Sequence, residues 1–241
     1  MLTNFFTKDI NSVQNAATDI IDVLGAKVLP ERIAEITKKH VAIGAAIALI
    51  PVPAVSSIAT VANICKMYSA INEELNISLS ENKLKSLISA LIGSLGARVL
   101  LRLGVGELLK MIPGIGTAGG AVILAAQDAA ITYISSYIYL NTLSLLAKQG
   151  TISDDVIEGK FREYMKENQS EIDNIFNNVE KNFEKDKSII DNKTAQADLE
   201  KILKDECTDA EYREALTSCT KCGNTLNPLD KFCSNCGAKI A

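Results

Sequence analysis

The sequence predicts a mainly α-helical protein in three parts: a helical-hairpin domain with glycine and proline corners, an amphipathic helical arm, and a small cysteine-rich module. A charge-free stretch at residues 40–64, with two prolines in its middle, indicates the hairpin domain. The arm is indicated by a later fall in hydrophobicity, where apolar side chains recur at helical spacing among charges. Four of the six cysteines lie near the C-terminus. These changes divide the chain into residues 1–149, 150–218 and 219–241.

The N-terminal region, residues 9–38, has the spacing of amphipathic helix. Its apolar residues recur at steps of three and four, which places them on one helical face: Ile10, Val13, Ala17, Ile20, Ile21 and Leu24. Pro30 predicts the start of a second helix, because the first helical position needs no backbone N–H donor. Glu31 would then lie in the first turn, where the helix dipole favours an anion.

The charge-free stretch at residues 40–64 is long enough to cross a bilayer as a helix, which takes about 20 apolar residues. Pro51 and Pro53 interrupt it, and a proline inside a helix removes a hydrogen bond and clashes with the preceding turn. We therefore predict two short apolar helices joined at a Pro-x-Pro corner. The stretch leaves open whether this hairpin lies in lipid or in a protein core. His40 is interpreted as a capping or interfacial histidine.

A second helical hairpin is predicted further along the chain. Ser78 and Ser80 are capping residue types for a helix that reaches Arg98 and Arg102. These two arginines lie four residues apart on one helical face, which argues against this segment crossing lipid alone. Because a buried charge needs a partner, we expect Asp128 of the following apolar helix to pair with one of them.

The corner of the second hairpin is predicted at Pro113, Gly114 and Gly116. The segment KMIPGIGTAGGA resembles the first corner, ALIPVPAVSSIA, in placing a proline ahead of a helix of small residues. An apolar run follows to Ala147 and is broken only by Asp128. Its apolar residues surround the helix on nearly every side, which is typical of a buried helix or a membrane span.

The arm, residues 150–218, begins with a helix stop and a helix start. Gly150 suits a helix C-terminus and Ser153 an N-cap. Two groups of apolar residues then define helix faces: Ile172, Ile175, Phe176, Val179 and Phe183, followed by Leu199, Ile202 and Leu203. We predict that these faces pack on the protein's own N-terminal domain, with a partner-binding coiled coil as the alternative.

Two Cys-x-x-Cys-Gly pairs in the C-terminal module carry the clearest chemistry of the chain. Cys219, Cys222, Cys233 and Cys236 supply four thiolates, which fill a tetrahedral zinc site and leave no open position. The sequence therefore predicts a zinc ribbon with structural Zn²⁺; iron uses the same ligands and ranks lower. The other two cysteines, at positions 65 and 207, are interpreted as a core thiol and a surface thiol.

Charge and motifs bear on the possible function classes. The net charge of −4 divides into +2, −8 and +2 over the three parts, so nucleic-acid binding is not favoured. The chain carries no GxxxxGK[ST], GxSxG or HExxH motif, and we expect no enzymatic activity. Its first residues lack the pattern of a secretory signal, which favours the cytoplasm or the cytoplasmic face of the inner membrane.

Five segments occur in order between residues 40 and 142: HVAIGAAIALIPVPAV, ICKMY, NISLS, LIGSLGARVLLR and KMIPGIGTAGGA. With them, this region resembles the DUF697 family of helical domains, although the glycine that the family often has near Ser136 is absent. Family members occur fused to, or beside, Era- and dynamin-like GTPases, and some are inner-membrane proteins. The resemblance implies a membrane-associated accessory of a GTPase system. The segments CTKCG and CSNCG, with Phe232, resemble zinc ribbons at the ends of bacterial proteins.

Two main hypotheses follow. In the first, the chain is a membrane-associated helical module that serves as an accessory or adaptor of a GTPase-type system, with the ribbon for protein contact. In the second, it is a soluble oligomeric scaffold with a compact helical core. A nucleic-acid-binding ribbon protein is a less favoured third. The expected partners are a protein such as a GTPase, a second copy of the chain, or a membrane surface.

Overall fold

The structure is a computed structural model, and it describes residues 10–48, 50, 53–94, 118–185 and 193–206. These residues form eight helices and no strands, so the predicted mainly α-helical fold is confirmed for this part of the chain. The helices are α1 (Ile10–Leu24), α2 (Pro30–Ile47), α3 (Pro53–Leu75), α4 (81–94), α5 (Ala118–Lys148), α6 (Asp154–Glu167), α7 (Gln169–Lys185) and α8 (Lys193–Glu206).

The first two helices meet at a short turn. Gly25 ends α1 with a φ of +62°, a left-handed conformation that glycine adopts without steric cost. Pro30 occupies the first turn of α2, and Glu31 lies beside it, which confirms the predicted helix start. Of the apolar stripe predicted for α1, Val13, Ala17, Ile20 and Ile21 are buried, whereas Leu24 at the end of the helix is 37% exposed.

Helices α2 and α3 form an antiparallel hairpin, as predicted. Arg32 donates to Glu74 at the open end, and His40 bonds to Asn63 nearer the corner, so residue numbers rise on one helix as they fall on the other. Pro53 is the first residue of α3. The predicted helix lengths are wrong: these helices span 18 and 23 residues, because the flanking charged segments continue them.

Several predicted corner residues lie outside the described residues. They are Pro51 of the first corner and Pro113, Gly114 and Gly116 of the second. The start of α4 is described, and it confirms Ser80 as an N-cap. The Lys83 amide donates to Ser80 Oγ over 3.2 Å, which satisfies one of the free N–H groups of the first turn.

Helix α5 is the centre of the fold. It packs against α1, α2, α3, α6 and α7, and most residues from 125 to 140 are buried. This arrangement explains why its sequence is apolar on nearly every side. Gly150, with a φ of +71°, follows its end as predicted. Among the helices that the structure describes, none combines the length and hydropathy needed to span a membrane.

The arm packs on the N-terminal helices, which confirms that prediction for the described residues. Helices α6 and α7 lie against α5, while α8 lies against the α2–α3 hairpin. The buried residues of α7 and α8 include the predicted apolar ones: Ile172, Ile175, Phe176, Val179, Leu199, Ile202 and Leu203. The core therefore extends from the hairpins into the arm.

Candidate functional site

The interface between α2 and α5 depends on small side chains. A Cβ built on Gly44 would stand 2.5 Å from Thr132 Oγ1 and 3.1 Å from the Asp128 carbonyl oxygen. One turn away along α5, the hydroxyls of Thr37 and Ser136 are 2.7 Å apart and buried. The helix backbones therefore approach closely and share a buried hydrogen bond. Sequence reasoning did not identify Gly44, Thr132 or the Thr37–Ser136 contact.

A second polar cluster joins α3 to α5. The rings of Tyr68 and Tyr139 stack with centroids 4.0 Å apart. The Tyr139 hydroxyl donates to Asn72 Oδ1 over 2.6 Å, and the Tyr68 hydroxyl donates to the Ser135 carbonyl over 3.1 Å. Burial raises the pKa of both phenols, so they remain neutral donors. Their chemistry is that of a core contact.

His40 takes part in a third buried polar contact, which joins α2 to α3. Its Nδ1 is 2.8 Å from Asn63 Oδ1, and Asn63 Nδ2 donates to the His40 carbonyl over 3.0 Å. Burial lowers the pKa of His40, which favours the neutral ring. The interpretation of His40 as a capping or interfacial residue is wrong, because α2 continues past it to Ile47 and α3 covers its ring.

Asp128 lies on α5 with 9% of its surface exposed, so the predicted buried carboxylate is confirmed. Its carbonyl accepts a hydrogen bond from Thr132 Oγ1 over 2.9 Å. The two arginines expected to pair with it, Arg98 and Arg102, lie outside the described residues. That pairing stays a prediction.

Glu158 of α6 connects the arm to α4. Its carboxylate accepts from Ser86 Oγ over 2.6 Å and from Arg162 Nη2 over 2.9 Å, and it lies 3.3 Å from Lys83 Nζ. These donors, with Ser86 first, lower the pKa of Glu158 to about 2. Beside this contact, Asp154 accepts from the Ser80 amide over 3.1 Å. The sequence shows the charges, but only the packing of α4 on α6 brings them together.

A cavity of about 240 Å³ lies near the same helices. Its lining includes the cations Arg162 and Lys166 and the carboxylate of Asp173. Ser94, at the end of the described part of α4, forms another side. These charges, together with Met165, make the cavity a polar cleft. Its lining residues do not include a nucleophile paired with a general base.

Helix α8 covers a groove that α2 and α3 form on the surface, which we name the α8 groove. At its rim, Lys39 of α2 lies 3.2 Å from Asp198 of α8. Lys66 of α3 lies 3.4 Å from Asp205 and 3.6 Å from Glu206. The groove thus binds an amphipathic helix whose carboxylates face these two lysines, and the cysteine-bearing tail, residues 207–241, follows that helix in sequence.

The predicted zinc ligands, Cys219, Cys222, Cys233 and Cys236, lie outside the described residues, as does the predicted surface thiol of Cys207. Within the described ranges, no group of three or more His, Cys, Asp or Glu side chains could hold a metal ion. Cys65 is buried and free, and burial raises the pKa of its thiol, which confirms the core-thiol interpretation.

Comparisons with protein-family models, curated proteins and solved structures gave no match. The candidate functional site is therefore inferred only from the sequence and structure of this chain. It consists of the α8 groove and the tail that follows α8, which contains the four predicted zinc ligands.

Proposed function

We propose that this chain is a non-enzymatic helical adaptor, in which a packed α-helical core carries a zinc ribbon for contact with a protein partner. The resemblance to the DUF697 family favours a GTPase-type partner. The cytoplasm, or the cytoplasmic face of the inner membrane, is the proposed location. The four cysteines of the tail would bind Zn²⁺ as a structural ion.

The observation that carries this proposal is the burial of the charge-free stretch. Val41, Ile43, Ala45 and Ile47 of α2 are each at most 1% exposed and face protein neighbours. The apolar surface that the sequence offers to lipid is thus used in packing against α3 and α5. This burial supports the proposal that the helices form a folded domain that carries the tail.

Zinc-dependent partner binding tests the adaptor proposal. We would cross-link the full chain in its native cells and compare it with the Cys222→Ser variant, which lacks one predicted ligand. Glu167→Gln is the control, because it changes an exposed side chain on α6 and leaves every cysteine in place. Partners lost from Cys222→Ser but retained by Glu167→Gln would support the proposal. The same partners on all three proteins would refute ribbon-mediated contact.

Peripheral membrane contact is a second candidate function, favoured by exposed apolar residues near the α1–α2 turn. Val23, Leu24 and Leu29 are 39%, 37% and 71% exposed, and Lys27 beside them is also exposed. An exposed apolar tip of this kind is suited to shallow contact with a lipid surface, and Lys27 would offset part of the repulsion between anionic lipid and the exposed carboxylates of Asp22 and Glu31. This contact would be shallow and would leave the α2–α3 hairpin packed in the core.

Vesicle flotation distinguishes this candidate. We expect the full chain to float with vesicles of phosphatidylglycerol and phosphatidylethanolamine, and the Leu24→Ser/Leu29→Ser variant to remain at the bottom. Val156→Ser is the control, because Val156 is similarly exposed but lies on α6. Equal flotation of the double variant and the wild type would exclude the turn as the contact.

A further inference from the structure

Helix α8 is attached to the core through one of its faces. Its packing partners are α2 and α3. The side chains that it buries lie along one face: Ala195, Leu199, Ile202 and Leu203. Helix α5, by contrast, is enclosed by five other helices. An element held by few apolar contacts opens at a lower free energy than the centre of the core.

The ion pairs at the rim of the α8 groove are accessible to salt. The side chains of Lys39 and Lys66 are 55% and 39% exposed, and Asp205 is 62% exposed. Exposed ion pairs contribute little individually and weaken as ionic strength rises. In all three pairs the core supplies the lysine and α8 supplies the carboxylate.

The sequence of α8 makes it a weak helix when it is free. It has 14 residues, which is near the lower limit for an isolated helix in water. Asp205 and Glu206 lie in its last turn, where the helix dipole disfavours anions, and Lys204 of the same turn offsets them only in part. Lys66 offsets these two charges only while α8 is docked. Release from the groove and loss of helix are therefore coupled.

Release of α8 would uncover a defined surface. Lys39, next to His40 on α2, and Lys66, next to Cys65 on α3, both form ion pairs with α8. His40 and Cys65 are both buried in the closed form. The uncovered groove would have an apolar floor between two lysines, which complements an amphipathic helix with acidic residues.

We propose that the α8 groove is a docking surface for an acidic amphipathic helix of a protein partner, and that α8 is its resident intramolecular ligand. A partner helix that displaces α8 would release the cysteine-bearing tail from the core. This proposal rests on the proposed function in taking the partner to be a protein. Competition with α8 would lower the apparent affinity for the partner, because the partner binds only the fraction of molecules in which α8 is released.

A fluorescent peptide with the sequence of residues 193–206 tests the groove directly. We would compare its binding to the wild-type chain and to Leu199→Asp/Leu203→Asp, in which charges on the buried face of α8 release it. We expect the variant to bind the peptide about tenfold more tightly, because the intramolecular competitor is absent. Equal binding to both proteins would overturn the proposal. A scrambled peptide controls for composition.

Charge complementarity is tested in the released variant. Adding Lys39→Glu and Lys66→Glu should weaken peptide binding at least about fivefold, and 0.5 M NaCl should weaken binding to the parent variant. Lys181→Glu, at an exposed position on α7, is the matched control and should have no effect. Insensitivity to both lysine substitutions would refute the proposed partner chemistry.

Hydrogen exchange on the wild-type chain gives a test that requires no variant. Amides of α8 should exchange at least about 100-fold faster than those of α5, and faster still in 0.5 M NaCl. Protection of α8 equal to that of α5 would show that it does not open separately and would overturn the proposal. The peptide tests do not depend on zinc, so their failure is distinguishable from failure of the zinc-dependent adaptor function.

Discussion

Gly44 on α2 lies so close to Thr132 on α5 that a Cβ at position 44 would stand 2.5 Å from the threonine hydroxyl. The same Cβ would stand 3.1 Å from a backbone carbonyl of α5. Real Cβ atoms do not make contacts as short as 2.5 Å, so a larger residue would force the helices apart. This contact fixes how closely the first hairpin packs on the central helix.

The first prediction follows from that distance. Gly44→Ala should lower the free energy of unfolding by about 1–3 kcal/mol, because overpacking outweighs the gain in helix propensity. Gly159→Ala is the control: a Cβ added to Gly159, within α6, would meet no neighbouring atom within 4 Å. That change should stabilise the protein by up to about 1 kcal/mol through helix propensity alone. Urea denaturation measures both.

Removal of the threonine hydroxyl should relieve the clash. Gly44→Ala combined with Thr132→Ala should cost less than the sum of the two single changes, because the residues are in contact. Additive losses would show that the helices pack differently at this point.

The second prediction concerns the hydrogen bond from Tyr139 to Asn72. Tyr139→Phe leaves the buried Asn72 oxygen without this donor and should lower the free energy of unfolding by about 1–3 kcal/mol. Tyr68→Phe should cost less, because its acceptor is a helix carbonyl that also has the i+4 amide of α5 as a donor. Thermal or urea unfolding of the two variants provides the measurement. A larger loss for Tyr68→Phe would contradict this account.

The third prediction is a pH dependence. The pKa of Glu158 falls from 4.5 to about 2 on folding, so the folded chain binds fewer protons between these values. Its stabilising contribution is complete above about pH 4.5 and is lost as the pH falls towards 2. Glu158→Gln should lower the free energy of unfolding by about 1 kcal/mol at pH 7, since partial exposure screens its ion pairs. The difference from wild type should shrink as the pH falls.

Urea denaturation at pH 7, 5, 4 and 3 checks this dependence. Glu167→Gln removes the same charge from an exposed position on α6, where the structure gives no hydrogen bond or ion pair to a described residue. It should change stability at pH 7 by less than about 0.5 kcal/mol. A wild-type advantage over Glu158→Gln that stays constant from pH 7 to 3 would contradict the assignment.

The fourth prediction concerns the tail. We expect the purified chain to contain one equivalent of zinc, and Cys222→Ser or Cys233→Ser to lose it, because each removes one of four ligands. Far-ultraviolet circular dichroism should change little, because the described helices precede the tail in sequence and bury their apolar side chains against one another. Elemental analysis gives the metal content. Stoichiometric zinc in either variant would refute the four-cysteine site.

Several helix boundaries could be predicted from the residues at or near them. Pro30 opens α2, the Ser80 hydroxyl caps α4 and Gly150 follows the end of α5, because each depends on backbone geometry within a few residues. The apolar faces of α7 and α8 were equally readable, since helical periodicity identifies the side that must be buried. The four-cysteine ligand set is predicted from spacing in the sequence alone and stays a prediction.

Long-range contacts could not be read in this way. The sequence misplaces His40 because its partner, Asn63, is brought to it only by the antiparallel packing of α3 on α2. Glu158 meets Ser86 and Lys83 only because α6 packs beside α4. Such pairs join residues distant in sequence, and residue type does not specify which of many polar groups will meet.

The sequence by itself determined where several helices begin and which of their faces are apolar, and it predicts which residues bind metal. The tertiary structure decided which helix is central, and it placed the described part of the charge-free stretch against α3 and α5. It also placed α8 over the α2–α3 hairpin. The physical reason is that burial of apolar surface is non-directional, so composition shows that a face must be covered but not by what.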